Sequence, residues 1–276
     1  MKRHDITKID FLLYSPPKTG STSLAEMLNM HKQISAIKVP SKEPNFFNHA
    51  KITHEQILEY NNKFAQDDTL KFEKSTVYFS SPTAINNIKL LCKDDIKFIS
   101  ILRNPVTRFI SLYKYFRSIS HIHEAGLSDE AQRIVGFKIP NDPVFFDFPK
   151  IDELLTRSEY EWTINSGLYH EHLERFYSLF EPSSILVFTY DEFKINAKEV
   201  LISILNFLQV DCDLTDIKLN IKWNSFNIWN DLLNKLNLKN IDIDIPEKYL
   251  ALLKQYYYEH NKLLSNNYNI IHNWNE

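Results

Sequence analysis

The sequence predicts an α/β fold: a central parallel sheet flanked by helices. Three observations carry that expectation. Short apolar runs alternate with segments of helical period from Phe11 to Leu208. The first run, Phe11-Leu12-Leu13-Tyr14, leads into a proline-rich loop and then directly into a helical pattern. Finally, Lys18, Glu43, Lys74 and Arg103 each fall at or just past the end of a predicted strand or in the loop that leaves one, which is where ligands collect in such sheets. With 276 residues, 43% of them hydrophobic, the chain can bury the core of one large domain, expected to span residues 1–276.

The opening strand–loop–helix is the most informative stretch. Pro16 and Pro17 deny the loop both helix and ladder, Gly20 permits positive φ, and Ser21, Thr22 and Ser23 stand where the helix begins. First-turn N–H groups, the helix dipole, these hydroxyls and that of Thr19 can all face a phosphate, with the Lys18 charge beside them. The loop is P-loop-like without being a nucleotide triphosphate loop. G-x-x-x-x-G-K-[ST] puts lysine after its second glycine, whereas here lysine precedes Gly20, the only glycine before residue 126.

The remaining elements follow in order. Ile34 to Val39 reads as a second strand and His54 to Ala65 as a helix. Thr69 to Phe72 reads as a strand, and a helix starts at Pro82 behind Ser81. Ile96 to Leu102 is a buried strand, and Pro105 to Arg117 is helical through Phe109, Leu112, Tyr113 and Phe116. Residues 118–148 hold two of the four glycines and no sustained period, and are expected as a long loop excursion of the kind that forms lids or substrate loops. Helices are expected around Lys150 to Arg157 and Ser166 to Phe180, a strand from Ile185 to Phe188, and a helix from Asp191 to Leu208. Two more helices, Phe226 to Leu236 and Pro246 to Leu264, precede an Asn-rich coil.

Composition excludes several function classes. A net charge of −3 offers no general attraction to nucleic acid or an anionic membrane, so an anion site must be local. Two cysteines, Cys92 and Cys212, give neither a disulfide framework nor a C-x-x-C metal pattern, and a reduced, cytoplasmic setting is expected. The apolar run after Met1 to Asp5 breaks at Ser15 to Pro17, too soon for a signal core or a membrane span. His170-Glu171-His172 lacks the i, i+4 histidines of a zinc helix, so no metal is expected.

Pro17-Lys18-Thr19-Gly20-Ser21-Thr22-Ser23-Leu24 resembles the 5′-phosphosulfate loop of sulfotransferases that use 3′-phosphoadenosine 5′-phosphosulfate (PAPS). Ile99 to Tyr113, with Arg103-Asn104-Pro105 and Ser111, resembles the same family's 3′-phosphate motif. Three further segments resemble its heparan sulfate branch: Lys42-Glu43-Pro44-Asn45-Phe46-Phe47, Glu73-Lys74-Ser75-Thr76-Val77-Tyr78-Phe79 with Thr76 where proline is usual, and Gly167 to Phe193. The resemblance covers roughly residues 10 to 208. It implies PAPS as donor and 3′-phosphoadenosine 5′-phosphate (PAP) as product. Lys18 and residues Thr19, Gly20, Ser21, Thr22 and Ser23 would hold the phosphosulfate, while Arg103 and Ser111 would hold the 3′-phosphate. Glu43 would be the general base, with Lys18 and Lys74 beside the leaving oxygen.

The expected acceptor is a hydroxyl, or less readily an amine, of a glycan or small molecule. A P-loop-type nucleotide phosphotransferase and a non-catalytic 3′-phosphoadenosine nucleotide-binding protein are the alternatives. C-terminally no glycine follows Gly167, and Lys222, Trp223, Asn224 and Ser225 are the candidate substitutes for the glycine-containing basic loop that many members of the resembled family place over the nucleotide.

Overall fold

A computed structural model describes residues 7–39, 43–135, 139, 149–219, 226–239 and 245–275. Its centre is a five-stranded sheet, all parallel, in the order β2-β3-β1-β4-β5. The strands are β1 (Phe11–Leu13), β2 (Ile34–Ala36), β3 (Leu70–Lys74), β4 (Lys97–Leu102) and β5 (Ile185–Thr189). The chain starts in the middle, moves out to β2, returns through β3, and crosses β1 to reach β4. The order therefore reverses about β1, and the crevice this opens lies beyond the carboxyl ends of β1, β3 and β4.

The first helices are α1 (Ser21–Leu28), α2 (His54–Asn61), α3 (Pro82–Leu91), α4 (Pro105–Glu124), α5 (Ser128–Val135) and α6 (Ile151–Leu154). They are followed by α7 (Glu161–Asn165), α8 (Tyr169–Tyr177), α9 (Tyr190–Ile195), α10 (Ala197–Leu208), α11 (Phe226–Lys235) and α12 (Glu247–Tyr268). Side chains alternate across β1 as a strand requires. Leu12 and Tyr14 join the core under α2, α3 and α8, while Phe11 and Leu13 join the one under α1 and α10. A third core, built on α4, α11 and α12 around Trp229 and Tyr257, lies to one side of the sheet.

Four expectations are corrected. Residues 118–148 are not a loop as far as they are described: α4 runs on to Glu124 because Ile119 and Ile122 keep its apolar stripe buried, and α5 follows at Ser128. The strand expected to end at Phe72 extends to Lys74, so that Lys74 pairs in register with Leu13. The helix expected from Asp191 to Leu208 is two helices, broken at Asn196, whose φ and ψ of −126° and 51° are not helical. The helices expected over Lys150 to Arg157 and Ser166 to Phe180 are the shorter α6 and α8, with α7 between them. The expectations for residues 40–42, 145–146 and 222–225 lie outside the described residues.

Candidate active site

Register brings the charged residues together. Leu13 pairs with Lys74 on one side and Ile99 on the other, so the loop after β1 emerges between the ends of β3 and β4. Ser15 prolongs the contact with β4, its Oγ accepting from the Ile101 N–H at 2.9 Å. Thr19 is fully buried and donates its hydroxyl to the Pro16 carbonyl at 2.9 Å, which closes the loop on itself. That commits the one hydroxyl proton of Thr19 to the loop, leaving its backbone as what it can offer an anion.

Two residues of the loop have left-handed backbone. Lys18 has φ 70°, a conformation that costs a non-glycine residue free energy and is typically held in place at functional sites. Gly20 has φ 93° and precedes α1 without supplying any side-chain cap. A Cβ at Gly20 would also stand 3.0 Å from two ring atoms of Tyr190. Glycine is therefore required twice over, by φ and by the close approach of that ring.

Arg103-Asn104-Pro105 is a helix-start sentence written in side chains. Asn104 caps α4 by accepting from the N–H groups of Val106 (3.0 Å) and Thr107 (3.2 Å), and Pro105 occupies the first helical position, where no N–H is needed. Arg103 is left at the strand end. Its Nε donates to Thr107 Oγ1 at 3.1 Å and its Nη1 to the Lys18 carbonyl at 3.1 Å. Its guanidinium lies over the Tyr190 ring, 4.9 Å from the centroid, because Leu102 and Thr189 are paired just before the two residues. The Tyr169 hydroxyl donates to the Arg103 carbonyl at 2.7 Å.

Thr107, Ser111 and Tyr115 recur every fourth residue and so share one face of α4. The first is bonded to Arg103, and the last lies under Lys18, whose Nζ is 4.3 Å from the ring centroid. Ser111, half-buried between them, therefore faces the same crevice.

On the other side, Lys74 ion-pairs with Glu43 Oε1 and also donates to Thr22 Oγ1 at 3.2 Å, in the first turn of α1. Glu43 Oε2 accepts from the Thr76 N–H (3.1 Å) and hydroxyl (2.9 Å). Burial pushes the Glu43 carboxyl up, but Lys74 and the two Thr76 bonds outweigh it and hold the carboxyl below its ordinary range. Lys18 is pushed down to about 8, first by burial, then by the charges of Arg103 and Lys74, with Glu43 acting the other way. Arg103 is lowered too, chiefly by burial. The cluster is thus short of negative charge, with three cations set against Glu43, beside an uncapped helix N-terminus. Its donor set fits a ligand carrying more than one phosphate-type anion.

Behind Lys74, Glu73 is fully buried, and neither of its oxygens has a hydrogen-bond partner of normal geometry. Burial pushes it up to about 8; Tyr78 and Tyr60 oppose the shift and Glu43 adds to it.

The sequence singled out Lys18, Glu43, Lys74, Arg103 and the Thr19–Ser23 turn, and these meet in one crevice. It missed Thr76, Thr107, Tyr115 and Tyr190 as residues of the site. Of the four histidines that could rival Glu43 as a base, His31 lies beyond the far end of α1, its Nε2 2.9 Å from the Asp211 carbonyl oxygen. His121 and His123 sit in the last turn of α4, where His123 Nδ1 is 2.6 Å from Ser128 Oγ. His49 is exposed at the surface, just after the turn Phe46–Asn48. Among the described residues, no group of three or more His, Cys, Asp or Glu is arranged to hold a metal ion, and no helix is long and apolar enough to cross a membrane.

The family model of the sulfotransferase domain matches residues 8–235, most of the chain. This chain belongs to the sulfotransferase domain family. The family match favours a sulfotransferase over a phosphotransferase. Among curated relatives of this sulfotransferase, the bifunctional heparan sulfate N-deacetylase/N-sulfotransferase 1 of Caenorhabditis briggsae is 27% identical over 212 residues, covering 73% of the chain. The corresponding protein 3 of Mus musculus is 28% identical over 269 residues, covering 92%. The chain spans only 22% and 29% of the lengths of these two relatives. Its fold matches a solved sulfotransferase from Alicyclobacillus acidocaldarius, with a TM-score of 0.62 at 16% identity over 97% of this chain and 99% of that one.

Proposed function

We propose that this sulfotransferase takes its sulfuryl group from PAPS and transfers it to a hydroxyl or amine of a glycan or small-molecule acceptor. The observation that carries the reading is the convergence of Lys18, Lys74 and Arg103 at the ends of three adjacent strands, with the carboxylate of Glu43 paired to Lys74. PAPS would supply an activated sulfuryl group attached to a good leaving phosphate. The first turn of α1 and Lys18 would hold its 5′ end, and Arg103 with Ser111 its 3′-phosphate. Lys18 and Lys74 would then neutralise the charge that grows on the leaving oxygen and so aid the transition state more than the ground state. Glu43 would accept the acceptor's proton, a role typically contributing about 10²–10⁴-fold.

The choice between hydroxyl and amine turns on Glu43. A carboxylate held below its usual range is a weak base, and a neutral amine, a stronger nucleophile than a neutral alcohol, asks less of a base than an alcohol does. The N-sulfotransferase names of the relatives point the same way. An amine on a glycan is thus the second reading, and one experiment addresses both. Labelled sulfur from PAPS, offered de-N-acetylated and N-acetylated glycans and small alcohols and amines, should enter at least one, with the product's mass and lability giving O- or N-linkage. Nucleotide binding with no transfer to any acceptor would favour a non-catalytic binding protein.

Arg103→Ala should weaken binding of adenosine 3′,5′-bisphosphate, since a charge-assisted contact is worth about 1.5–3 kcal/mol. Arg103 also holds the Lys18 carbonyl, so adenosine 5′-monophosphate should lose some affinity as well. Calorimetry should find the bisphosphate losing more than the monophosphate. Equal losses would confine Arg103 to supporting the loop.

A further inference from the structure

The sequence carries threonine at position 76, where the resembled segment has proline. A proline there would have no N–H and no hydroxyl; Thr76 has both, and both end on the same atom, Glu43 Oε2. The stretch bearing Glu43 is also clasped to the Thr76 segment at two further points and to α3 through Asn87. Asn45 N–H donates to Ser75 Oγ at 3.0 Å, and Phe47 N–H donates to the Tyr78 hydroxyl at 3.1 Å. The Asn87 amide then donates to the carbonyls of Phe47 (2.8 Å) and His49 (2.9 Å). Glu43 Oε1 faces the other way, toward Lys74, whose Nζ also reaches Thr22 in the phosphate-type loop.

We propose that Thr76 is a positioning residue for Glu43, anchoring Oε2 and presenting Oε1, the oxygen beside Lys74, to the reacting centre. The inference rests on Glu43 being the base. A hydroxyl that donates to an ionised carboxylate favours the ionised form, so removing it makes the carboxylate a stronger base held in a looser orientation. Among the described residues, charged or titratable groups acting on Glu43 include Lys74 at the end of β3, Lys18 in the loop, Tyr115 on α4 and Glu73 beside Lys74. All of them remain in a Thr76 variant.

The test compares Thr76→Val, which keeps shape and N–H but loses the hydroxyl, with Thr76→Ser, which keeps the hydroxyl. Folding is verified by retained binding of adenosine 3′,5′-bisphosphate. Two readouts are taken: the carbon-13 NMR titration of the Glu43 carboxyl, assigned by its loss in Glu43→Gln, and the acid limb of the kcat/KM profile. In Thr76→Val both midpoints should rise by at least ~0.5 pH unit, and in Thr76→Ser both should return to the parent values. An NMR midpoint unmoved in Thr76→Val overturns the positioning role. An NMR midpoint that moves while the acid limb stays still upholds the hold of Thr76 on Glu43 and overturns Glu43 as the base.

Discussion

Glu43→Gln should lower kcat by at least about a hundredfold while leaving affinity for adenosine 3′,5′-bisphosphate within about threefold. Glutamine keeps the size of the side chain and can still accept from Thr76, so the loop should stay in place. What disappears is the proton acceptor and the negative partner of Lys74. Losing the charge of that partner does not by itself weaken the site for an anion, because it leaves the crevice more positive. A selective loss of kcat is therefore the signature of a base, whereas a matched fall in nucleotide affinity would mark Glu43 as structural. Near-normal turnover, with collapse in a histidine variant instead, would move the base elsewhere.

Glu73→Gln should change how stability depends on pH. The Glu73 carboxyl titrates near 8 in the folded chain, against an ordinary value of 4.5. Between those values the native state holds a proton that the unfolded state has released, so native stability falls as pH rises through the window. Below it the contribution of the neutral acid is fully present; above it that contribution is gone. Glutamine has nothing to release, and the other titrating groups are common to both proteins. The variant should therefore gain on the parent from pH 5 to pH 9, by a few kcal/mol, since each pH unit inside the window is worth about 1.4 kcal/mol. Urea unfolding at pH 5, 7 and 9 measures the difference. A difference independent of pH would mean that Glu73 is ionised throughout.

The parts of the site that were legible in the sequence are those with local grammar. Asn104 and Pro105 announce a helix start, and two prolines before Gly20 announce a turn, whatever the rest of the chain does. The strand ends then bring Lys18, Lys74 and Arg103 together once the alternation of strand and helix implies a parallel sheet. Thr76, Tyr115 and Tyr190 were not legible as site residues because each is defined by a distant partner. Tyr190 belongs to the site only because Thr189 pairs with Leu102, and Thr76 only because the Glu43 stretch folds back onto it. The length of α4 was missed for another reason. Its apolar spacing continues through Ile119 and Ile122, but Ser118, Ser120 and His121 dilute the composition that had marked the helix until then.

That the site hangs from three neighbouring strands also fixes its scale. Adjacent strands are spaced about 4.8 Å apart by the hydrogen bonds between them, so β3, β1 and β4 span roughly two such steps. As marks on a ruler, Lys74 is level with Leu13 and Ile99, while Arg103 stands four residues farther along the chain from Ile99, so a rise of about 3.3 Å per residue adds to those lateral steps. Side-chain rotation can adjust the reach of each mark, but the interval between them belongs to the backbone lattice. Sequence drift in the surrounding loops can thus reshape the rim of the crevice while the distance between its two ends stays the same.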